Sequence, residues 1–500
     1  MFVSKLKNKL YMFKILAVCI FLFPFYSYCK SNTSIKIQSN QSNQSNLSNN
    51  YNLKEIAQDQ LIASGPFVGA VSDVSATFII KPVKPSKVKF QMSEDSQFND
   101  SFYSEEIASD ESKFNFTKIQ TGNLKPDTKY YYRAVLDGIV TDREHSFMTF
   151  PSEKNQNFSF GFGSCQQGYN ATSPDVFPVV AEDSLRFFLQ IGDWTYPDFG
   201  EFGKGYNESL DKLQVSYQSR YDYGYAFNSE VLSRMPVAYL YDDHDFAGND
   251  ADGTNPFKTN SIKAYSMFFP HYELNNPDNG IWQKFRFGDV EFFLLDLRTQ
   301  RSANSNALNS QGLFEPPPDH SILSGFTIDG ENQKTWLENS LKNSDAKWKV
   351  IISTVIFNPR YLDALKDERI AKMFPKVQKG IIDKWAGFPE DIYFLQNIIK
   401  DNNIKNVIMV SGDSHSSYID DGTNSVIPEI SSSNLDTKNS KLGLITQLAG
   451  YNIWNQGSYN EDGHAYGRIS FYFGDEDYAM LEVIDQTGAT VLSYRLDAIL

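Results

Sequence analysis

Six apolar runs between residues 158 and 410 each stop abruptly at polar residues. Phe158 to Phe162 stops at Gly163-Ser164-Cys165, Leu185 to Ile191 at Gly192-Asp193, and Met235 to Tyr241 at Asp242-Asp243-His244-Asp245. Val290 to Asp296 stops at Arg298, Trp348 to Val355 at Phe357-Asn358, and Val407 to Val410 at Gly412-Asp413-Ser414-His415. Short runs rich in β-branched and aromatic residues, bounded by turn residues, read as buried strands. Helix-like stretches lie between several of them: Asn332 to Leu341, with a Trp and two Leu at helical spacing, and Asp391 to Lys400. Strands alternating with helices predict a layered α/β domain, and such sheets place their ligands at successive strand ends.

The chain ahead of this region has a different pattern. Ser75 to Lys81, Lys87 to Met92 and Tyr130 to Val135 are short β-rich runs at turn-punctuated spacing. Leu124-Lys-Pro-Asp-Thr-Lys-Tyr130 reads as the turn entering a late strand of a fibronectin type III-like sandwich, where a Tyr bonds back to the corner, and Phe147 to Pro151 as its last strand. Residues 57–150 are therefore expected to form a β-sandwich. Residues 151–500 form the α/β domain, with β patterning again from about 468 that could complete a second sheet.

The N-terminus has the order of an export signal. Lys5, Lys7, Lys9 and Lys14 precede an apolar run from Ile15 to about Tyr28, shorter than the roughly 20 residues of a spanning helix. Residues 1–29 are read as a signal peptide ending near Ser27-Tyr28-Cys29. Cys29 is a less favoured candidate for lipidation, because the bulky Tyr28 precedes it. Residues 30–56, rich in Ser, Asn and Gln, read as a disordered spacer. The expected location is the periplasm or the outside of the cell, with no membrane span in the mature chain.

Of three cysteines, only Cys165 lies beyond the signal, so the mature chain has no partner for a disulfide. A lone thiol in an oxidising compartment is either buried or held by a metal. The net charge of −15 argues against nucleic acid or an anionic membrane as the main partner. An anionic substrate would need local positive charge, and bound cations are one source of it.

The strand-end residues Cys165, Asp193, Tyr196, Asp242, Asp243, His244, Asp245, Asn249, Asp413 and His415 are all metal-ligand types, drawn from four segments. Each alone is an ordinary polar turn; together they form a pattern. The set resembles the alkaline phosphatase D (PhoD-like) family of metallophosphatases. The matching pieces are Gly163-Ser-Cys-Gln166, Gly192-Asp-Trp-Thr-Tyr196, Asp242-Asp-His-Asp245 with Asn249 following, Leu295-Asp-Leu-Arg298 and Gly412-Asp-Ser-His415. Trp385-Ala-Gly-Phe388 resembles the family's Trp-Asp-Gly-Tyr segment, and the preceding β domain is similar to the family's. The likeness covers roughly residues 60–500.

The resemblance implies two central β-sheets flanked by helices and a dinuclear or larger metal centre. It implies a ferric ion (Fe3+) on Cys165, Asp193, Tyr196 and His415, with Asp193 bridging to a second site. That second site, calcium (Ca2+) in the family, would be ligated by Asp243, Asn249 and Asp413. Asp243 and His244 are the implied catalytic residues, His244 as proton donor or phosphate contact. Arg220 and Arg298 match family arginines and are taken as substrate-binding. The implied activity is that of an alkaline phosphatase or phosphodiesterase: hydrolysis of small phosphate monoesters or diesters through a metal-bound hydroxide, by a protein expected to be a monomer. The contrasting expectation is a non-catalytic surface binding protein with a structural metal site. Three departures from the family pattern stand out: Trp194, Pro197 after Tyr196, and Asp245 where Glu is common.

Overall fold

The computed structural model describes residues 61–142, 144–166, 176–199, 202–221, 226–325, 332–437, 451, 453–459 and 463–499. The signal and spacer expectations, residues 1–29 and 30–56, lie outside the described residues.

Two sheets form the centre of the α/β region. One runs Val237–Leu240, Phe188–Ile191, Phe158–Gly163, Ala465–Tyr472, Tyr478–Asp485 and Thr490–Asp497 in spatial order. Its first three strands are parallel, and the last three continue it antiparallel. The C-terminal β patterning thus extends the sheet that bears Cys165 and Asp193. The other sheet runs Gln283–Phe287, Val290–Leu294, Trp348–Ile352, Val407–Ser411, Glu429–Ser432, Ser417–Asp420 and Ser458–Tyr459, parallel through its middle.

The unbroken apolar runs of the second sheet follow from burial on both faces. Val290, Phe292, Leu294, Val350, Ile352, Ile408 and Val410 join the core between the sheets. The alternate residues Phe293, Ile351, Val407 and Met409 join a second core under the helices Gln333–Asn343 and Pro389–Asp401. Asn332 caps the first of these helices by accepting from Thr335 N–H at 2.8 Å, and Pro389 opens the second. Between the sheets, Phe160 meets Phe292 edge-on at 5.2 Å and Trp348 lies against Phe471 at 5.5 Å. Aromatic pairs of this kind add about 0.5–1.5 kcal/mol each beyond the area they bury.

The N-terminal strands form a three-stranded sheet (Ile62–Gly69, Ala76–Pro82, Thr117–Thr121) and a second sheet centred on Lys87–Ser93 and Lys129–Leu136. Their facing residues share one core, with Phe78 stacked on Phe90 at 4.6 Å. Tyr130 accepts from the Lys125 N–H at 3.0 Å, the expected corner bond. The sandwich docks on the α/β region through Phe67 on Tyr221 and Phe116 on Phe268. Among the described residues, no helix is long and apolar enough to cross a membrane.

Candidate metal centre

The site lies where the parallel strands of both sheets end. Cys165 and Asp193 follow neighbouring strands of the first sheet; Asp413 and His415 follow the Val407–Ser411 strand of the second. The turns are tight. Cys165, Asp193, Asp413 and His415 all adopt left-handed backbone, with φ of 62°, 55°, 61° and 51°. Non-glycine residues in this region are uncommon, and they cluster where function fixes them. Gly192 precedes Asp193 because the strand ends crowd there: a β-carbon at Gly192 would sit 2.5 Å from that of Asp242.

The turns hold one another in place. Cys165 N–H donates to Gly192 O at 3.2 Å and Gln166 N–H to Asp193 O at 2.7 Å. Asp413 N–H donates to Ser164 Oγ at 3.2 Å. The Asp245 carboxylate accepts from Asp193 N–H, from Trp194 N–H at 3.0 Å and from Asp242 N–H at 3.1 Å. Asp245, the acid that departs from the family pattern, is therefore a clamp on the Asp193 turn. Trp194, the second departure, is packed in the core against Tyr221, Phe227, Tyr239 and Phe269.

Ligand atoms of Cys165, Asp193 and His415 all lie within 4.8 Å of one another. The Tyr196 hydroxyl is 3.2 Å from His415 Nε2, and Cys165 Sγ is 3.7 Å from Asp193 Oδ2. All but half-buried His415 are buried, and Asp193 Oδ1 has no hydrogen-bond partner among the described residues. Burial, reinforced by the Asp193 and Asp413 carboxylates, pushes the Cys165 thiol well above its usual range. Burial does the same to Asp193, with Asp243, Asp242 and Asp245 adding to it against His244, and to the Tyr196 phenol. A thiol, a carboxyl and a phenol packed this way can ionise together only around a cation. The donor types, hard oxygens with a thiolate and an imidazole, fit a ferric ion.

The second expected set assembles differently. Ligand oxygens of Asp242, Asp243 and Asp413 lie within 4.8 Å of one another, as do those of Asp243, Asp250 and Asp383. Protein cations already meet them. Arg298 donates to Asp242 at 2.6 and 2.8 Å and to both oxygens of Asp383 at 3.1 Å. Arg301 donates to Asp383 at 2.6 Å, and Lys384 Nζ sits directly on Asp413 Oδ2. Against the cost of burial, Arg298, Arg301 and Lys384 hold Asp383 well below the carboxylate range. Burial pushes Asp413 up to about 7 even with Lys384 on it. Asn249, expected as a ligand here, is exposed, and its backbone N–H donates to Asp198 at 3.1 Å. These residues do not fit a calcium ion, which takes six to eight oxygens.

The two arginines expected at the substrate are wholly buried. Arg220 donates to Thr195 Oγ1 at 3.1 Å and Tyr239 Oη at 2.8 Å, pairs with Asp245 at 3.3 Å and lies over the Tyr217 ring. It braces the Asp245 clamp from beneath, just as Arg298 braces Asp242 and Asp383. Both guanidinium groups meet carboxylates inside the fold, and Arg220 Nη2, beside Asp245, makes no hydrogen bond among the described residues.

His244 sits beside the first set, its ring 4.2 Å from that of Tyr196 and its Nδ1 2.8 Å from Asp198 Oδ1. Burial lowers its affinity for a proton, but the Asp243, Asp193 and Asp198 carboxylates outweigh this and push it up to about 11. Sequence reasoning missed Asp198, Asp383 and Lys384. Asp198 stands two residues after Tyr196, behind the Pro197 that was noted only as a departure. Asp383 and Lys384 immediately precede the Trp385-Ala-Gly-Phe388 segment.

Comparison with known proteins agrees with this geometry. The family described as PhoD-like phosphatase matches residues 160–460. Alkaline phosphatase D of Bacillus subtilis (strain 168) is 25% identical over 67% of this chain, a match spanning 59% of that protein's own length. Purple acid phosphatase 15 of Arabidopsis thaliana is 24% identical over 35% of this chain and 34% of its own. A solved structure titled "Structure of PhoD" superposes with a TM-score of 0.65, covering 88% of this chain and 93% of that one at 18% identity. Because that family's model spans residues 160–460 of the 500, the chain belongs to the PhoD-like phosphatase family.

Proposed function

We propose that this chain hydrolyses phosphate esters, monoesters or diesters, at a centre built on Cys165, Asp193, Tyr196 and His415, with a ferric ion as its resident metal. One observation carries the reading: a thiol, a carboxyl, a phenol and an imidazole meet at converging strand ends, and Asp193 Oδ1 has no partner among the described residues. A bound ion there supplies positive charge to the ester oxygens and acidifies a water molecule.

The chain's own residues do the rest. Asp198 holds His244 at Nδ1, which fixes the ring and leaves Nε2 to pass a proton to the departing alkoxide. Against the cost of burial, the Asp243, Asp193 and Asp198 carboxylates raise the affinity of that ring for a proton. Asp243 is itself fixed, accepting from Asp250 N–H at 2.6 Å and from His244 N–H at 2.7 Å. Exposed Phe199, stacked on Tyr196 with centroids 6.0 Å apart, offers an apolar face to the organic part of an ester. Export by the N-terminal segment and a division near residue 150 into sandwich and catalytic domains belong to the same proposal.

The experiment is turnover of aryl mono- and diesters together with an optical spectrum. The expected protein is coloured by thiolate- and phenolate-to-iron charge transfer and turns over at least one ester class. A colourless, iron-free chain with full activity would remove the assignment.

A further inference from the structure

We propose that Lys384 is the second cation of this centre: its ammonium takes the place on Asp413 that a second metal ion would take, so the chain retains one metal ion, at the Cys165 set. The proposal rests on the reading that the Cys165 set binds iron.

The position of Lys384 is fixed by its backbone. It follows the helix Pro375–Ile382, its N–H donates to Ile381 O at 3.0 Å, and its carbonyl accepts from Gly387 N–H at 2.9 Å. The side chain is only 7% exposed, so the ammonium is delivered into the carboxylates rather than into solvent.

Charge is the second argument. Asp242, Asp243, Asp383 and Asp413 are four carboxylates, and Arg298, Arg301 and Lys384 are three cations that meet them. Four against three leaves one negative charge. A calcium ion added to this set would leave it positive by one; of the neighbouring acids, Asp250 is already paired with Lys379 at 2.6 Å and Asp193 belongs to the Cys165 set.

Oxygen supply is the third argument. Both oxygens of Asp242 are taken by Arg298, and Oδ1 also by Thr354 Oγ1 at 2.6 Å. Both oxygens of Asp243 accept backbone N–H groups. Asp413 Oδ2 is on Lys384, and Asn249 is exposed. With Lys384 on Asp413 an irregular oxygen cage of six or more ligands is not on offer; without Lys384 the Asp413 carboxylate is open to an ion that brings its own waters. A lysine ammonium, compact and with three donors, is matched to what remains. It supplies a fixed positive charge beside the phosphate without adding a second Lewis acid.

Metal content is the test, measured by elemental analysis and native mass spectrometry on the full-length protein after gel filtration in about 1 mM calcium. The expected wild-type chain retains one iron and no calcium, and its Tm does not respond to calcium. Lys384→Met is expected to gain one calcium per chain and a calcium-dependent rise in Tm of at least ~3 °C. A wild-type chain with iron and one stoichiometric calcium overturns this inference and leaves the proposed function standing, as does Lys384→Met with unchanged metal content. If Lys384→Met does not fold, the wild-type stoichiometry decides. A wild-type chain without iron overturns the functional reading on which the inference rests.

Discussion

The two carboxylate-bearing groups of this site sit side by side and are neutralised in opposite ways. Around Asp193, a thiol, a phenol and an imidazole converge with an unpartnered carboxylate oxygen and no Lys or Arg hydrogen-bonded to them among the described residues. Around Asp383, two arginines and a lysine answer the acids directly. Burial penalises charge equally in both places. Among the described residues the first group has no Lys or Arg to offset its ionised forms, while the acids of the second meet protein cations directly. Two buried carboxylate clusters in one chain thus differ in whether Lys and Arg side chains meet them.

Four substitutions would break or sharpen that contrast. Asp193→Ala should lose the iron and bring hydrolysis of an aryl phosphate down to background, while far-UV circular dichroism stays native. A variant with wild-type turnover would sink the assignment of the first group. His244→Ala should slow turnover by about 10²–10⁴-fold for alkyl phosphates, whose leaving group needs a proton, and by much less for p-nitrophenyl esters. Equal losses for both would argue against a proton donor. Arg298→Met should destabilise the fold by about 3–5 kcal/mol in urea titration, because it leaves Asp242 and Asp383 buried without their main partner. A loss confined to KM, with stability intact, would return Arg298 to the substrate. Asn249→Ala, at an exposed position, should change stability by no more than about 0.5 kcal/mol and leave metal content as it was. Loss of a metal ion from it would restore the expected second site.

The pairing of strand end with polar residue was legible because the physics is local. A run such as Val407 to Val410 is apolar on both faces only if it is buried on both, and a turn beginning Gly412-Asp413 ends it. The helix from Asn332 was legible in its cap and its Trp336–Leu337–Leu341 face. The Tyr130 corner was legible for the same reason. That Arg220 and Arg298 lie wholly buried was not legible, because a motif match gives a position along the chain and not a depth beneath the surface.

From the sequence alone came the fold class, the family resemblance and the ligand types at the first group, because strand periodicity and turn chemistry act over a few residues. Tertiary structure alone decided which acids find a protein cation. Lys384 reaches Asp413 from 29 residues away and Arg298 reaches Asp383 from 85. Asp198 reaches His244 across 46 residues, and Asp245 reaches the Asp193 N–H across 52. Charge compensation in a buried site is settled by distances of a few ångström between groups that the chain keeps far apart, and no local pattern records it.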